Sequence, residues 1–417
     1  MIRSTLHRSI LEMSRSFSTR TPGRIGFSVP NQQPTDASLR IAETVAASAP
    51  LPPFRYNSVT LAATGRDEVQ PTRFDDRRIR DFFKGMLQLD LPIGEIGTSF
   101  KSVALGPSPS KLKAFQQKMA YGHRELDHFC ERFNASHQDV KTWLMNKDWR
   151  MLVMTSKNEE KNADITNHFL KLHTQLFEET GLRLDPAVVT YADGAYGKKN
   201  SNMTTKESIQ SIAHFWEGLQ ASDLAPQLYL NLYISGVVGV TPESRLNDGV
   251  SKSIANTAKI QKTMQFKQIP HQVIYGDTAG QMSPEEAQTL IGAYPLSSKR
   301  ELHLHHNPLN AISTDLDRLE LVLRVFAKAH PLNLHIGIFG GGSPFSGMTG
   351  GFGGNLWLPF VCSLALRSNL TISSHPEQDD LIKLLATSID LFNEFSPDSQ
   401  ESKSAMVDGL LDWNQKN

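Results

Sequence analysis

The chain has 417 residues, enough for one large α/β barrel or for two domains of ordinary size. Its 43 basic and 43 acidic residues give a formal net charge of zero, which argues against a nucleic-acid partner and against a charged tail. The two cysteines, Cys130 and Cys362, lack the spacing of a structural zinc site. No run approaches the roughly 18 apolar residues of a membrane span, so no membrane partner is predicted.

The N-terminal segment differs in composition from the rest of the chain. Arginines and serines alternate through it, and Glu12 is the only acidic residue before Asp36. An Arg-rich, Ser-rich and acid-poor segment is typical of a mitochondrial transit peptide, so residues 1–30 are predicted to direct the protein to the mitochondrial matrix. An ordinary disordered N-terminus is the alternative. Residues 31–53 are rich in Pro, Ala, Ser and Gln and are expected to form a linker.

From residue 57 onward, short apolar runs of strand character alternate with amphipathic helical patterns. The predicted strands are 58–63, 93–96, 151–154, 187–191, 228–234, 272–275, 301–305 and 332–338. The predicted helices are 75–89, 164–180, 205–221, 248–268, 284–293 and 314–329. This series predicts a (β/α)8 TIM barrel over residues 54–375. A helical insertion is expected at about residues 101–150, and C-terminal helices with a tail at 376–417.

Polar residues follow several of the predicted strands at their C-terminal ends. Barrel enzymes carry their catalytic groups at these ends and in the loops that follow. The candidates, in chain order, are Arg66, Asp67, Glu95, Asp277, His303, His305, Ser343 and Asn355. They indicate one site assembled from the ends of different strands.

The most informative of these residues are His303 and His305. On a strand, residues i and i+2 point to the same side. The two imidazoles are therefore expected to lie next to each other on one face of the strand and to hold one cation. Two nitrogen ligands suit Mn²⁺ or Zn²⁺ better than Mg²⁺. His306, the next residue, is either the real partner of the pair or a spectator.

The order of the motifs resembles that of the DRE-type metallolyase superfamily, and most closely its 3-hydroxy-3-methylglutaryl-CoA lyases, over residues 57–365. Arg66-Asp67 with Gln70 is similar to the family's Arg-Asp-Gly-x-Gln after the first strand. The other matching segments are Glu95 followed by Thr-Ser-Phe, the Lys-Lys-Asn stretch at 198–200, Gly-Asp-Thr-x-Gly at 276–280, His303-x-His305 and Gly354-Asn355.

The resemblance implies a divalent-cation site and an acyl-CoA substrate. It implies Mg²⁺ or Mn²⁺ bound by Asp67, His303, His305 and Asn355. It also implies catalytic roles for Arg66, Asp277, His303, Glu95 and Ser343, with Arg66 holding a carbonyl oxygen as it becomes an enolate. Lys198, Lys199 and Asn200 are expected to bind coenzyme A, although a solvated face explains the lysines equally well.

The sequence departs from the family pattern near the site. Ser343 stands where the lyases have a cysteine that is thought to transfer a proton, and a hydroxyl is a far poorer acid than a thiol with a pKa of about 8.5. His306-Asn307 stands where the lyases have Asp-Thr, and Glu68 replaces a glycine. The serine at position 343, in place of the cysteine of the lyases, predicts a slower reaction or a different one.

Three functions therefore stay open. The first is a divalent-metal-dependent lyase that cleaves 3-hydroxy-3-methylglutaryl-CoA to acetyl-CoA and acetoacetate. The second is an acyl-CoA/2-oxoacid condensing synthase on the same barrel, and the third is a catalytically weakened barrel that acts as a binding subunit. Whether the chain forms a homodimer is left open as well.

Overall fold

The computed structural model describes residues 33–63, 89, 91, 93–96, 148–180, 184–222, 228–246, 248–293, 300–307, 309–338, 354–396 and 400–416. Several sequence predictions fall outside these residues. They are the targeting segment 1–30, nearly all of the helix at 75–89, the insertion at 101–147, and the site residues Arg66, Asp67 and Ser343.

Eight parallel strands close into a barrel, which confirms the predicted fold class. The strands are β1 (Ser58–Ala63), β2 (Ile93–Ile96), β3 (Asp148–Val153), β4 (Leu184–Tyr191), β5 (Leu230–Ser235), β6 (His271–Asp277), β7 (Arg300–Leu304) and β8 (Leu332–Ile336). β1 pairs with β8 on one side and with β2 on the other, so the sheet closes on itself. Each predicted strand overlaps an observed one, with its ends displaced by three residues or fewer.

A ninth strand, β9 (Thr371–Ile372), extends the sheet at the N-terminal end of the barrel. It pairs with Ser58 and Val59 at the start of β1. The same edge of β1 pairs with β2 further along the strand, at Ala62 and Ala63. The start of β1 therefore has partners on both sides.

Helices alternate with the strands as the sequence predicts. They are α1 (Asp36–Ala46), α2 (Glu159–Thr180), α3 (Gly194–Ser201), α4 (Thr205–Gln220), α5 (Pro242–Arg245), α6 (Gly249–Phe266), α7 (Pro284–Ala293), α8 (Ile312–Ala329), α9 (Leu358–Arg367), α10 (Gln378–Phe395) and α11 (Gln400–Lys416). The predicted starts at Thr205 and Pro284 are confirmed. Thr204 and Glu207 form a reciprocal capping box at the start of α4, which satisfies two backbone N–H groups there. None of the described helices is long and apolar enough to cross a membrane.

Helix α1 corrects the expectation of a linker at residues 31–53. Its buried face consists of Ser38, Ala42 and Val45, which are small enough to pack closely against α9 and α10. Thr35 caps the helix, and the carboxylate of Asp390 on α10 accepts hydrogen bonds from the backbone nitrogen and the hydroxyl of Thr35, each at 2.7 Å. A composition rich in small residues was compatible with a packed helix because small residues allow close approach.

The barrel interior contains an apolar cluster and a row of polar side chains. The apolar cluster consists of Leu152, Ala187, Val189, Tyr191, Tyr233 and Ile274. The polar side chains include Arg150 on β3 and Glu301 on β7, which form a salt bridge. Because β3 and β7 are not neighbours in the sheet, this contact crosses the interior. These residues identify the inner faces of β3, β4, β5, β6 and β7.

Candidate metal centre

The two imidazoles of the His303-x-His305 motif converge at the C-terminal end of β7. His303 is 1% exposed and His305 is 4% exposed, and their Nε2 atoms lie 2.9 Å apart. Glu301 shares their strand face, since it precedes His303 by two residues. The inner face of β7 thus presents a carboxylate and then two imidazoles, in order from the interior towards the C-terminal end of the barrel.

The position of His305 is fixed by contacts to both its ring and its backbone. Nδ1 donates a hydrogen bond to the carbonyl of Thr278 at 2.9 Å, in the turn after β6. The hydroxyl of Thr278 lies 2.6 Å from that of Ser235 at the end of β5. Arg318 on α8 donates to the backbone carbonyl of His305 at 2.9 Å. Nε2 of His305 is therefore the ring nitrogen that faces His303.

Asn355 lies directly opposite His305 in a short antiparallel pairing. The flanking residues make the hydrogen bonds, from His306 N to Gly354 O at 2.7 Å and from Leu356 N to Leu304 O at 2.8 Å. His305 and Asn355 therefore form a non-hydrogen-bonded pair, the arrangement in which opposite side chains approach most closely and share one face. The backbone places the amide of Asn355 beside the two imidazoles.

Behind His303 a buried row of polar side chains continues into the barrel. Nδ1 of His303 lies 3.2 Å from Nδ1 of His335 on β8, and Nε2 of His335 lies 2.6 Å from Oε2 of Glu301. Arg150 pairs with both carboxylate oxygens of Glu301, with 2.7 Å between Nη2 and Oε1. Burial raises the pKa of Glu301, but the charge of Arg150 and the hydrogen bond from His335 outweigh it and hold that pKa well below its usual range.

Sequence reasoning missed Glu301, His335 and Arg150 as parts of the site. A signal for Glu301 was present, because it lies two residues before His303 on the same predicted strand and must share its face. His335 and Arg150 occur as single polar residues in or next to apolar runs, and only the closed barrel shows that they meet Glu301.

Asp277 is not brought together with the histidine pair by the described contacts. Its oxygens accept the backbone N–H groups of Gln281 at 3.1 Å and Met282 at 3.0 Å, and Nη1 of Arg318 lies 3.6 Å from Oδ2. On β6, Asp277 lies on the face opposite to Ile274, whose side chain belongs to the interior cluster. It shares its own face with Tyr275, whose hydroxyl is hydrogen-bonded to Gln261 on α6. Burial raises its pKa, and the charge of Arg318 opposes this shift. These contacts correct the expected position: Asp277 organises the turn before α7 and faces the helices.

His306 is the spectator of the two alternatives that the sequence left open. Nδ1 lies 2.8 Å from Oδ2 of Asp315 and Nε2 accepts the backbone N–H of Trp357 at 3.1 Å, so both ring nitrogens are engaged. Burial lowers the pKa of His306, against the effect of Asp315. The residue ties the end of β7 to α8 and to the segment that carries Asn355.

The predicted coenzyme A residues lie on helix α3, directly after β4. Lys198, Lys199 and Asn200 are exposed, and the amide of Asn200 donates to the carbonyl of Tyr196 on the same helix at 2.8 Å. Helices that follow a strand begin at the C-terminal end of the barrel, so α3 lies on the side of the histidine pair. Glu95 belongs to β2, in register with Arg150, and only its backbone is described.

The spacing of the imidazoles fits a divalent cation. Two ligands about 2.1 Å from one ion in neighbouring octahedral positions lie about 3.0 Å apart, close to the observed separation of the Nε2 atoms. Within the ranges that the structure describes, no group of three or more His, Cys, Asp or Glu side chains is arranged to hold a metal. The described residues therefore supply two imidazoles and one neighbouring amide, and a carboxylate would come from a residue outside them, as predicted for Asp67.

The fold is similar to solved structures of HMG-CoA lyases. The enzyme from Bacillus subtilis matches with a TM-score of 0.55 at 16% identity, over 84% of this chain and 99% of that one. The enzyme from Brucella melitensis gives 0.53 at 15% identity, over 82% and 100%. The hydroxymethylglutaryl-CoA lyase from Pseudomonas aeruginosa gives 0.51 at 14% identity, over 85% and 98%. Identities this low show a shared fold.

No protein-family profile matches the sequence, and no curated protein is significantly similar to it.

Proposed function

We propose that the protein is a divalent-cation-dependent carbon–carbon lyase that cleaves 3-hydroxy-3-methylglutaryl-CoA to acetyl-CoA and acetoacetate. The observation that carries this proposal is the convergence of His303 and His305 at the C-terminal end of the barrel, with their Nε2 atoms 2.9 Å apart. The order of the sequence motifs and the similarity of the fold to HMG-CoA lyases support the same assignment.

The cation would be held by His303, His305, Asn355 and Asp67, and Mn²⁺ suits this mixture of nitrogen and oxygen donors. When bound, a divalent cation lowers the pKa of a hydroxyl group and fixes its position. Thr278 and Arg318 hold His305 in place for this role, through its ring and its backbone respectively. A site held by rigid elements loses little free energy in ordering itself when the substrate binds.

The cleavage breaks the bond between C2 and C3 of the substrate. The hydroxyl on C3 loses its proton, its oxygen forms the carbonyl of acetoacetate, and the electron pair of the broken bond passes to C2 as a thioester enolate. Arg66 would hold the thioester oxygen as it takes up this charge. A proton delivered to C2 then gives acetyl-CoA, and Ser343 would direct that proton in place of the family's thiol.

The proton of the hydroxyl would pass to water rather than to the histidine pair or to Asp277. Both Nε2 atoms of the pair would bind the cation, and Nδ1 of His305 already donates to the carbonyl of Thr278. Both oxygens of Asp277 already accept backbone N–H groups, and Arg318 lies 3.6 Å from one of them. Asp277 would therefore act by ordering the turn that carries Thr278, the hydrogen-bond acceptor of His305.

Purified protein freed of metal with a chelator and then supplied with Mn²⁺ should release acetoacetate from 3-hydroxy-3-methylglutaryl-CoA. The variants His303→Ala, Asp67→Ala and Arg66→Ala should release none, while circular dichroism shows that they are folded. A folded wild-type protein that takes up Mn²⁺ and releases no acetoacetate would refute the lyase. Consumption of acetyl-CoA with a 2-oxoacid would identify the condensing synthase instead.

The serine at position 343 favours a second candidate, a weakened barrel that serves as a binding subunit. A hydroxyl is a much poorer proton donor than a thiol with a pKa of about 8.5. A Ser343→Cys variant separates the two functions, because a marked gain in rate identifies a slow lyase. An unchanged absence of turnover, with acyl-CoA still bound, supports the binding subunit.

The same proposal places the protein in the mitochondrial matrix, on the Arg-rich and acid-poor composition of residues 1–30. Residues 1–34 fused to a fluorescent protein should direct it to mitochondria. A matched fusion in which the arginines are replaced by glutamate should stay outside, and equal distribution of the two fusions would contradict the assignment.

A further inference from the structure

Five buried side chains form a continuous row through the barrel interior, in the order Arg150, Glu301, His335, His303 and His305. Successive members are joined by a salt bridge, by a contact of 2.6 Å, by a contact of 3.2 Å and by a contact of 2.9 Å. Hydrogen bonds of this kind require one proton in each gap, so the state of one ring restricts the state of the next.

The proton between Glu301 and His335 belongs to the histidine. The carboxylate of Glu301 accepts hydrogen bonds from the two terminal nitrogens of Arg150 and has no proton of its own to donate. His335 therefore donates from Nε2. A guanidinium nitrogen of Arg150 lies 3.3 Å from this same Nε2. With Nε2 engaged by Glu301, the other ring nitrogen of His335, Nδ1, faces His303.

The contact with His335 fixes the orientation of the His303 ring. Nδ1 of His303 lies 3.2 Å from Nδ1 of His335, and its other nitrogen, Nε2, faces His305. Nδ1 of His305 donates to the carbonyl of Thr278, so His305 also presents its Nε2 to the pair. Each ring is thus held through Nδ1 and directs Nε2 to the point where the two rings meet.

We propose that His335 and Glu301 are positioning residues that hold the ring of His303 with Nε2 directed at the cation site. This inference rests on the proposed cation site and adds its supporting residues. Such partners behind a metal-binding histidine orient the ring and raise its basicity, and their loss commonly weakens metal affinity by about 10- to 100-fold.

The test measures Mn²⁺ affinity by titration calorimetry on the full-length, metal-free protein. His335→Leu removes the polar contact to Nδ1 of His303 and should weaken Mn²⁺ binding by at least about tenfold. His335→Asn restores a hydrogen-bonding group, the side-chain amide, and should bind within about threefold of the wild type. His173→Leu is the matched control, because His173 is a buried histidine on α2, outside the barrel row, and its loss should leave the affinity unchanged.

Each outcome has a defined meaning. Equal Mn²⁺ affinity of wild type and His335→Leu, with both folded by circular dichroism, would overturn the inference and leave the cation site intact. Weak binding by His335→Asn as well as by His335→Leu would also overturn it, because hydrogen bonding to Nδ1 of His303 would not then be the cause. Absence of Mn²⁺ binding in the wild type would overturn the proposed function itself.

Discussion

Arg318 on α8 donates a hydrogen bond to the backbone carbonyl of His305 at 2.9 Å, although the two residues belong to different elements. Its other terminal nitrogen donates to the carbonyl of Met282 at 3.0 Å, and its Nε donates to Asp315 at 2.9 Å. One guanidinium therefore joins the end of β7, the turn after β6 and the first turns of α8. The geometry of the imidazole pair depends on this side chain.

An Arg318→Met variant should be less stable than the wild type by about 3 kcal/mol. The methionine leaves the buried carboxylates of Asp277 and Asp315 without their counter-charge, and breaking a buried ion pair costs several kcal/mol. Urea denaturation measures the change. Arg324→Met on the same helix is the matched control, since Arg324 pairs with Glu320 at the i,i+4 spacing in a more exposed position and should cost about 1 kcal/mol or less. Equal losses in the two variants would contradict this account.

A Gly280→Ala variant should lose both stability and Mn²⁺ affinity. Gly280 has a φ of +63°, and an added Cβ would lie 2.2 Å from the carbonyl oxygen of His306 and 2.9 Å from that of His305. Positive φ together with this overlap is expected to cost at least about 2 kcal/mol and to displace the end of β7.

Gly292→Ala is its control, because nothing lies within 4 Å of a Cβ at this position in α7. Alanine is the better helix former, so this variant should be about as stable as the wild type or up to about 1 kcal/mol more stable. Calorimetry of Mn²⁺ binding and urea denaturation of both variants would test the pair. Undisturbed Mn²⁺ binding in Gly280→Ala would show that the turn does not support His305.

The free energy of unfolding should fall as the pH is lowered below 6.5. Burial lowers the pKa of His271 and of His330 from 6.5, so these residues stay neutral in the folded protein after they have taken up protons in the unfolded chain. The unfolded state then binds more protons, and each such histidine contributes a slope of up to about 1.4 kcal/mol per pH unit until its folded pKa is reached. His271→Gln should reduce the slope between pH 6.5 and 5.5, whereas an unchanged slope would remove His271 from this explanation.

The double variant Lys198→Ala/Lys199→Ala should raise KM for the acyl-CoA substrate several-fold and leave kcat close to that of the wild type. Exposed ammonium groups on α3 would attract the phosphates of coenzyme A without contacting the reacting carbons, and the loss of such uniform binding changes KM alone. Lys262→Ala/Lys267→Ala is the control, because these exposed lysines lie at the end of α6, towards the opposite side of the barrel. The same KM in both double variants would assign Lys198 and Lys199 to a solvated surface.

The barrel was predictable because its strands and helices alternate with different hydrophobic periods. The positions of side chains relative to the barrel were less accessible. Asp277 illustrates the reason: as the last residue of β6 it follows Gly276 on the inner face, so a shift of one residue decides whether it faces the site or the helices. The position of the strand could be predicted from the sequence. Which of its alternate residues face the barrel interior could not.

The supporting residues of the site were the least predictable. His303 and His305 form a local pattern that can be read directly, whereas Arg150, Glu301 and His335 lie far apart in the chain and meet only inside the closed barrel. The residues next to a buried arginine or histidine in the sequence do not indicate which distant side chain it contacts. The closed sheet supplies that information through strand order.

Helix α1 limits how far the N-terminus can be shortened before the fold loses contacts. Thr35 and Ser38 both bond the carboxylate of Asp390, and the buried face of the helix packs on α10. A chain that begins at Thr35 would keep these bonds. A chain shortened further would lose the contacts of Thr35 and then of Ser38 with Asp390, so we expect it to hold the first helix less firmly.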